Sequence, residues 1–338
     1  MAQPTNAHSR FDLSTSGENV VDDVHDIITN IAPTETPFHM RMKKEDASSD
    51  LHEWLSDTLR AAAQNIHIDG DDFAGDARTA PVRLSNYQQI SREDIVVTRR
   101  ANKVKKYGRK DELGYEIAKS GKLLKRDCEA DALRNNAAVQ GNDTTASETA
   151  GAPAGFRTNS SRGVGGADPT LSSTTYGYPN AGATDGTDRA LSEATLQGVI
   201  RDAWTAGGNP SIIMCGPQVK QRMSNYLFGS DARIATPYQD HGKNPGNGIT
   251  AIGAADVYIT DYGRMEIIPN RFQREDDVFI FDPEHWAISY LDGYKTHEIA
   301  KSGDSEKRML VVDWGVVCRE EGGSGIVADI DETTAMVA

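Results

Sequence analysis

Apolar positions recur along the chain with two different periods. Over residues 18–31, Val20, Val24, Ile27, Ile28 and Ile31 fall at helical spacing, with Ser16 or Gly17 placed to cap the helix. The stretch Ala32-Pro33-Thr34-Glu35-Thr36-Pro37-Phe38 ends it, because each proline drives its predecessor out of the α region. The strongest helical pattern runs from about 103 to 139, where Leu113, Ile117, Gly121, Leu124, Cys128 and Ala132 form one stripe. A helix of that span is on the order of 40–50 Å long, a spine rather than a bundle element. Gly108, Gly114 and Gly121 each weaken it by about 1 kcal/mol relative to Ala, which predicts a helix bent or held by packing.

Farther along, Leu196, Val199, Ile200 and Ala203 predict a helix capped by Ser192 and stopped at Gly207-Gly208. Ser211-Ile212-Ile213-Met214-Cys215 reads as a short buried strand, and Pro217 opens another helix. After Gly248 the period becomes two. The runs ADVYITDYG, RMEIIPNRF, DDVFIFD and HWAISYLD predict successive strands, followed by a hairpin turning at Ser302-Gly303-Asp304. Between the two periodic regions, residues 140–189 are dominated by Gly, Ser, Thr, Ala and Asn and predict a long loop or insertion. Residues 50–98 carry two polar extended runs, LHEWLSDTLR and RLSNYQQISREDIVVTRR, around a Gly/Asp/Ala stretch that cannot bury enough surface alone. They predict a long projecting hairpin packed by a partner subunit. The class is α+β, with no internal repeat.

At 338 residues the chain is long enough for about two domains. Three cysteines, with no CxxC pair and no histidine at ligand spacing, exclude a disulfide framework and a structural zinc site. No run approaches the ~18 apolar residues of a bilayer span. The first residues lack the basic and apolar regions of a secretory signal, so the chain is expected to stay where it is made.

A net charge of −14 argues against a protein whose main task is gripping phosphates. Its distribution says more. Between Arg99 and Arg126, eleven basic residues, including Arg99, Arg100, Lys103, Lys106, Arg109 and Lys110, face three acids, a surplus of eight. Between Phe11 and Asp57 the balance reverses: eleven acids, including Asp22, Asp23, Asp26 and Glu53, face three basic residues. Such blocks pair within one subunit or between neighbours, or are simply solvated faces. On the pairing reading, these ten named residues are the candidate inter-subunit contacts.

Catalytic patterns are weak. Asp69-Gly70-Asp71-Asp72 has the start of a calcium loop, but its twelfth position is Ala80 rather than Glu, so a solvated turn is the simpler reading. Gly246-Asn247-Gly248-Ile249-Thr250-Ala251 precedes a strand, not a helix, and does not make a dinucleotide fingerprint. Asp22, Asp23, His25 and Asp26 could hold a divalent metal, yet acids at a helix start are expected from the macrodipole. No G-x-S-x-G, Walker loop or H-E-x-x-H occurs. No cofactor is expected, and nothing argues for an enzyme.

Several stretches, in order along nearly the whole chain, resemble the major capsid (head) proteins of tailed double-stranded DNA bacteriophages with the Hong Kong 97 fold. They are Ile31-Ala32-Pro33-Thr34-Glu35-Thr36-Pro37-Phe38; Asn86-Tyr87-Gln88-Gln89-Ile90 through Val96-Val97 to Tyr107-Gly108-Arg109-Lys110-Asp111-Glu112; and Leu124-Lys125-Arg126-Asp127-Cys128-Glu129. Later come Thr260-Asp261-Tyr262-Gly263, Ile267-Ile268-Pro269-Asn270-Arg271 and Ala300-Lys301-Ser302-Gly303-Asp304-Ser305-Glu306-Lys307.

The resemblance implies an N-terminal arm (1–45), an extended β-hairpin loop (46–98) and a peripheral domain with a long spine helix (99–140). An insertion (141–189), an axial domain (190–288) and a return to the peripheral domain (289–338) follow. It implies a structural protein that self-assembles as hexamers and pentamers into an icosahedral head around double-stranded DNA, in the virion capsid, assembled in the host cytoplasm. Its partners would be the packaged double-stranded DNA, held non-specifically, and the portal, with separate scaffold and cement proteins as candidates, and no membrane. Some relatives lock the shell with Lys-Asn isopeptide bonds; no lysine lies between Lys44 and Lys103, so the extended loop cannot donate one. About 45 residues before that loop are too few for a fused scaffolding domain, which implies a separate scaffold. Two other readings stand beside this one: a bacterial nanocompartment shell protein of the same fold, and a metal-dependent hydrolase using Asp22, Asp23 and His25.

Overall fold

The computed structural model describes residues 35–70, 72, 75, 80–173, 177–229, 256–301 and 303–337. The helix expected over 18–31, the Asp22/Asp23/His25/Asp26 group and the Gly246–Ala251 stretch lie outside them.

Two sheets share one core. The first is four-stranded, in the order β1 (Lys43–Asp46), β12 (Trp286–Ile299), β13 (Ser305–Cys318), β4 (Gln89–Thr98), with β1 parallel to β12 and the other pairs antiparallel. Strands β12 and β13 are the hairpin expected around 302–304. Helix α3 (Glu112–Ala132) packs on this sheet, burying Leu124, Cys128 and Ala132 with Leu310, Val312 and Trp314. A methyl at Gly121 would sit 3.8 Å from the Leu310 side chain, so the helix lies close on β13.

The second sheet has six strands, in the order β5 (Ser160–Ser161), β14 (Gly325–Val327), β11 (Val278–Phe281), β8 (Ile212–Cys215), β10 (Gly263–Pro269), β9 (Val257–Thr260). Helix α4 (Glu193–Thr205) starts at Ser192, whose hydroxyl accepts the Thr195 N–H at 3.1 Å, and Gly207 follows it at φ +101°. Helix α5 (Pro217–Gly229) opens on its proline. Strand β11 explains how the two halves cohere. Val278 and Ile280 pack with Val199 and Ile200 of α4, whereas Phe279 and Phe281 join the cluster of Phe38, Phe156 and Trp286. Burial on both faces is why β8 and β11 read as unbroken apolar runs.

The structure sharpens four expectations and corrects three of them. The spine helix covers 21 residues rather than 103–139 and is about 31 Å long. Before it, the short helix α2 (Arg99–Lys103) ends in a bend that includes Gly108 at φ +74°, and Asp111 caps α3 by accepting the Gly114 N–H at 3.1 Å. Second, RLSNYQQISREDIVVTRR is two strands. Its first part, β3 (Val82–Tyr87), pairs with β2 (Leu51–Ser56) in a two-stranded ribbon; after Gln88 the chain becomes β4 and joins the four-stranded sheet.

Third, 141–189 is the mostly irregular segment expected, and it is built into the body. Ala150, Ala152, Ala154 and Phe156 are buried, β5 joins the six-stranded sheet, and β6 (Thr170–Leu171) pairs with β7 (Pro179–Ala181). Fourth, the last segment divides. Strand β13 serves the four-stranded sheet and β14 the six-stranded one, where Gly208 approaches Gly323 so closely that a Cβ would lie 2.2 Å from its Cα.

Candidate assembly surfaces

The ribbon β2–β3 is fixed at its base by an amide that imitates a strand backbone. The Asn86 Oδ1 accepts the Ala150 N–H at 3.0 Å, and its Nδ2 donates to the carbonyls of Ala150 at 3.2 Å and Val316 at 2.8 Å. A single buried side chain thus ties the ribbon, the 141–189 segment and β13 together. Beyond the ribbon, residues 57–81 form no helix or strand among those described, and every described one is exposed. Leu59 is 99 % and Ile68 82 % accessible, with Leu55 and Ile66 also open. Isolated exposed apolar side chains are ordinary; several on one extended loop, with no described residue covering them, form a contact surface.

A second open surface is the four-stranded sheet itself. Along β4, Gln89, Ile95 and Val97 turn toward α3, and the alternate residues Ile90 and Val96 are exposed on the opposite side. Strand β4 is also an edge strand. Its ladder groups on that side are open to pairing.

Where the arm region enters the body, helix α1 (Pro37–Arg41) is held by a carboxylate of α3. Glu129, fully buried, accepts the Phe38 N–H at 2.7 Å, the His39 N–H at 3.0 Å and the Asn270 amide at 2.7 Å, and His39 Nδ1 lies 2.8 Å from it. A carboxylate only accepts, so Nδ1 carries the proton.

The charge blocks resolve differently from a simple mutual pairing. Glu53 pairs with Arg83, and Glu45 with His52 at 3.1 Å and with Arg319. The His52 hydrogen bond, with that of Arg319, holds the Glu45 carboxyl below its usual range against the cost of burial. In the basic block, Arg99 meets Asp304 at 2.7 Å, while Arg109 at 2.5 Å and Lys106 at 3.0 Å share Glu112. Those two hydrogen bonds, Arg109 first, keep Glu112 below its usual range. Arg100, Lys103 and Lys110 are exposed and ion-pair with no described residue, as do Glu35, Asp46, Asp50 and Asp57 on the acidic side. Among the described residues, then, the two blocks do not pair with each other. Asp22, Asp23 and Asp26 lie outside that set.

Asn86 and Glu129 stand within the capsid-like stretches, but nothing in the sequence marked either as a clasp, because a polar residue beside an apolar stripe looks solvent-facing until its distant partners are known. Among the described residues no group of three His, Cys, Asp or Glu side chains is placed to hold a metal ion. No described helix is long and apolar enough to cross a membrane.

Known proteins share this architecture. The cyanophage A-1(L) capsid asymmetric unit superposes with a TM-score of 0.64 at 14 % identity, covering 93 % of this chain and 98 % of that one. The holo-SrpI encapsulin complex of Synechococcus elongatus PCC 7942 gives 0.55 at 7 % identity over 95 % and 97 %. These likenesses show the fold, the Hong Kong 97 type that the sequence resemblance implies. In sequence, the major capsid protein of Escherichia phage Phieco32 is 28 % identical over 334 residues, 89 % of this chain and 91 % of that protein. The model of the family described as SU10 major capsid protein matches residues 3–331, and the chain belongs to that family of structural capsid proteins.

Proposed function

We propose that this major capsid protein, a component of the virion capsid, closes an icosahedral head around double-stranded DNA as hexamers and pentamers, through surfaces left open on the isolated chain. The observation that carries this reading is the exposed, apolar-bearing stretch at 57–70 on a ribbon whose base is locked by Asn86. A rigid stalk with a sticky, unpaired end is suited to lie on a neighbouring copy, and the open face of β4 around Ile90 and Val96 is the seat we assign to it. In this reading 1–45 is the arm and the extended loop expected over 46–98 ends at Gln88, where the chain enters the body as β4. The four-stranded sheet with α3 is the peripheral region, and the sheet and helices of 190–288 form the axial region.

Charge sets register. The unpaired Arg100, Lys103 and Lys110 meet the acids of a neighbour's arm and loop, such as Asp46, Asp50 and Asp57. The chain's net negative charge suits a container for DNA, because a wall that gripped phosphates would hinder packaging and release. The portal is a further partner, and separate scaffold and cement proteins are candidates. The viral relative and the family match favour a genome over enzyme cargo as the content, and the metal-dependent hydrolase has no observation in its favour.

Sedimentation velocity with negative-stain imaging of the purified chain across a salt series tests the assembly. Rings, tubes or shells whose yield changes with ionic strength are expected. A monomer at every concentration and salt, persisting when the neighbouring head genes are co-expressed, overturns the proposal.

A further inference from the structure

Just before β11 the chain buries a carboxylate that nothing fully answers. Asp277 is 3 % exposed, and the nearest cation, Arg274 Nη1, lies 3.9 Å away, beyond hydrogen-bond reach. Arg274 is committed elsewhere: it grips Asp185 at 3.1 and 2.8 Å and Asp276 at 2.8 Å. The other cation acting on Asp277 is Arg162, just after β5. Its side chain is 6 % exposed; Nε donates to Asp168 at 2.7 Å, but Nη2 is buried with no hydrogen-bond partner. A carboxylate whose cation stands beyond hydrogen-bond reach and a buried donor without an acceptor thus belong to two segments packed on each other.

The same seam holds residues 160–189 to the end of the six-stranded sheet. The Asp329 carboxylate accepts the N–H groups of Gly163 and Gly186, both at 2.8 Å, and the Ile330 N–H donates to the Asp276 carbonyl at 3.0 Å. The charged and titratable groups around Asp277 are Arg274 and Asp276 on its own turn, Arg162 and Asp185 on the 160–189 segment, Asp329 on the C-terminal segment, and the Cys215 thiol opposite Val278 on β8.

We propose that Asp277 is a proton-operated latch for this segment: neutral, it leaves Arg274 on Asp185 and 160–189 docked; after releasing its proton to solvent, it competes with Asp185 for Arg274, the ion pair that crosses the seam weakens, and the segment loosens, which hydrates the new charge. Burial, opposed by Arg274 and Arg162, pushes the carboxyl up from its ordinary 3.8 to about 7. A folded value above the unfolded one means that docking gains stability as pH falls below about 7, and that this gain is lost as pH rises through it.

Hydrogen exchange of the full chain, corrected for intrinsic rates, reads the latch. Protection of amides in 160–189 is expected to fall about tenfold between pH 6 and pH 8, the single-proton linkage for these values, with β12 and β13 unchanged. Asp277→Asn flattens the profile. Arg162→Gln, which leaves Asp277 one cation, moves the midpoint to higher pH and serves if the first variant does not fold. A flat wild-type profile, an equal fall in Asp277→Asn, or an Arg162→Gln midpoint that stays or moves down overturns the proposal.

Discussion

The carboxylate of Glu129 on helix α3 accepts the backbone N–H of Phe38, 91 residues earlier, at 2.7 Å. This bond fixes where the N-terminal region joins the body, because it satisfies an orphan donor at the start of α1 from a different helix. Glu129→Ala strips acceptors from Phe38, His39 and Asn270 together, each a buried donor worth about 1–3 kcal/mol when left unpaired. Chemical denaturation of the full chain should show a loss of about 4 kcal/mol, with Glu129→Gln intermediate. A loss below about 1 kcal/mol would remove the clasp from the account.

Phe156 tests whether the 141–189 segment belongs to the core. Its ring stacks on Phe279 at 5.4 Å and lies 5.1 Å from Trp286. Phe156→Ala is expected to cost about 3–5 kcal/mol in urea unfolding. A decorating insertion would instead tolerate the change.

Leu59 and Ile68 touch nothing that their own fold needs. Leu59→Ser with Ile68→Ser should leave the unfolding free energy of the unassembled chain almost unmoved, within about 0.5 kcal/mol. In sedimentation, the same pair should lower the yield of assembled particles. Unimpaired assembly would mean that the loop's apolar residues are not contacts.

The three cysteines are free, and burial pushes the thiols of Cys128 and Cys215 up to about 12 and raises Cys318 as well. Thiolate is the reactive form. At pH 8 a thiol reagent should label the folded chain slowly and all three sites at once in denaturant. Since the folded values lie above the ordinary 9, this contribution to stability is complete below pH 9 and fades as pH rises toward 12. Rapid labelling of a folded-state cysteine would contradict the burial.

Local chemistry was legible in the sequence wherever one segment determined its own state. Ser192 as a cap, Pro217 at a helix start, the buried run before it and the hairpin from β12 to β13 all depend on neighbours within a few residues or on a period repeated over a strand. The order of the capsid-like stretches was likewise enough to indicate the fold family. By itself the sequence also established the opposed charge blocks and the lack of a lysine on the extended loop.

Tertiary structure alone decided the partners of single residues. Phe156 stands among Gly, Ala and Arg with no period to mark it, and only β11 and β12 make it core. Glu129 and Asp277 are acidic side chains of a kind usually exposed; Glu129 is buried because the chain brings Phe38, His39 and Asn270 to it from far away, and Asp277 because the segments around β11 close over it. The split of 82–98 at Gln88 depends on β13 offering a ten-residue ladder to β4. A period reports which face of an element turns inward, a local property set by backbone geometry. What that face meets, and whether a charge there is answered, depends on long-range packing that no local pattern encodes.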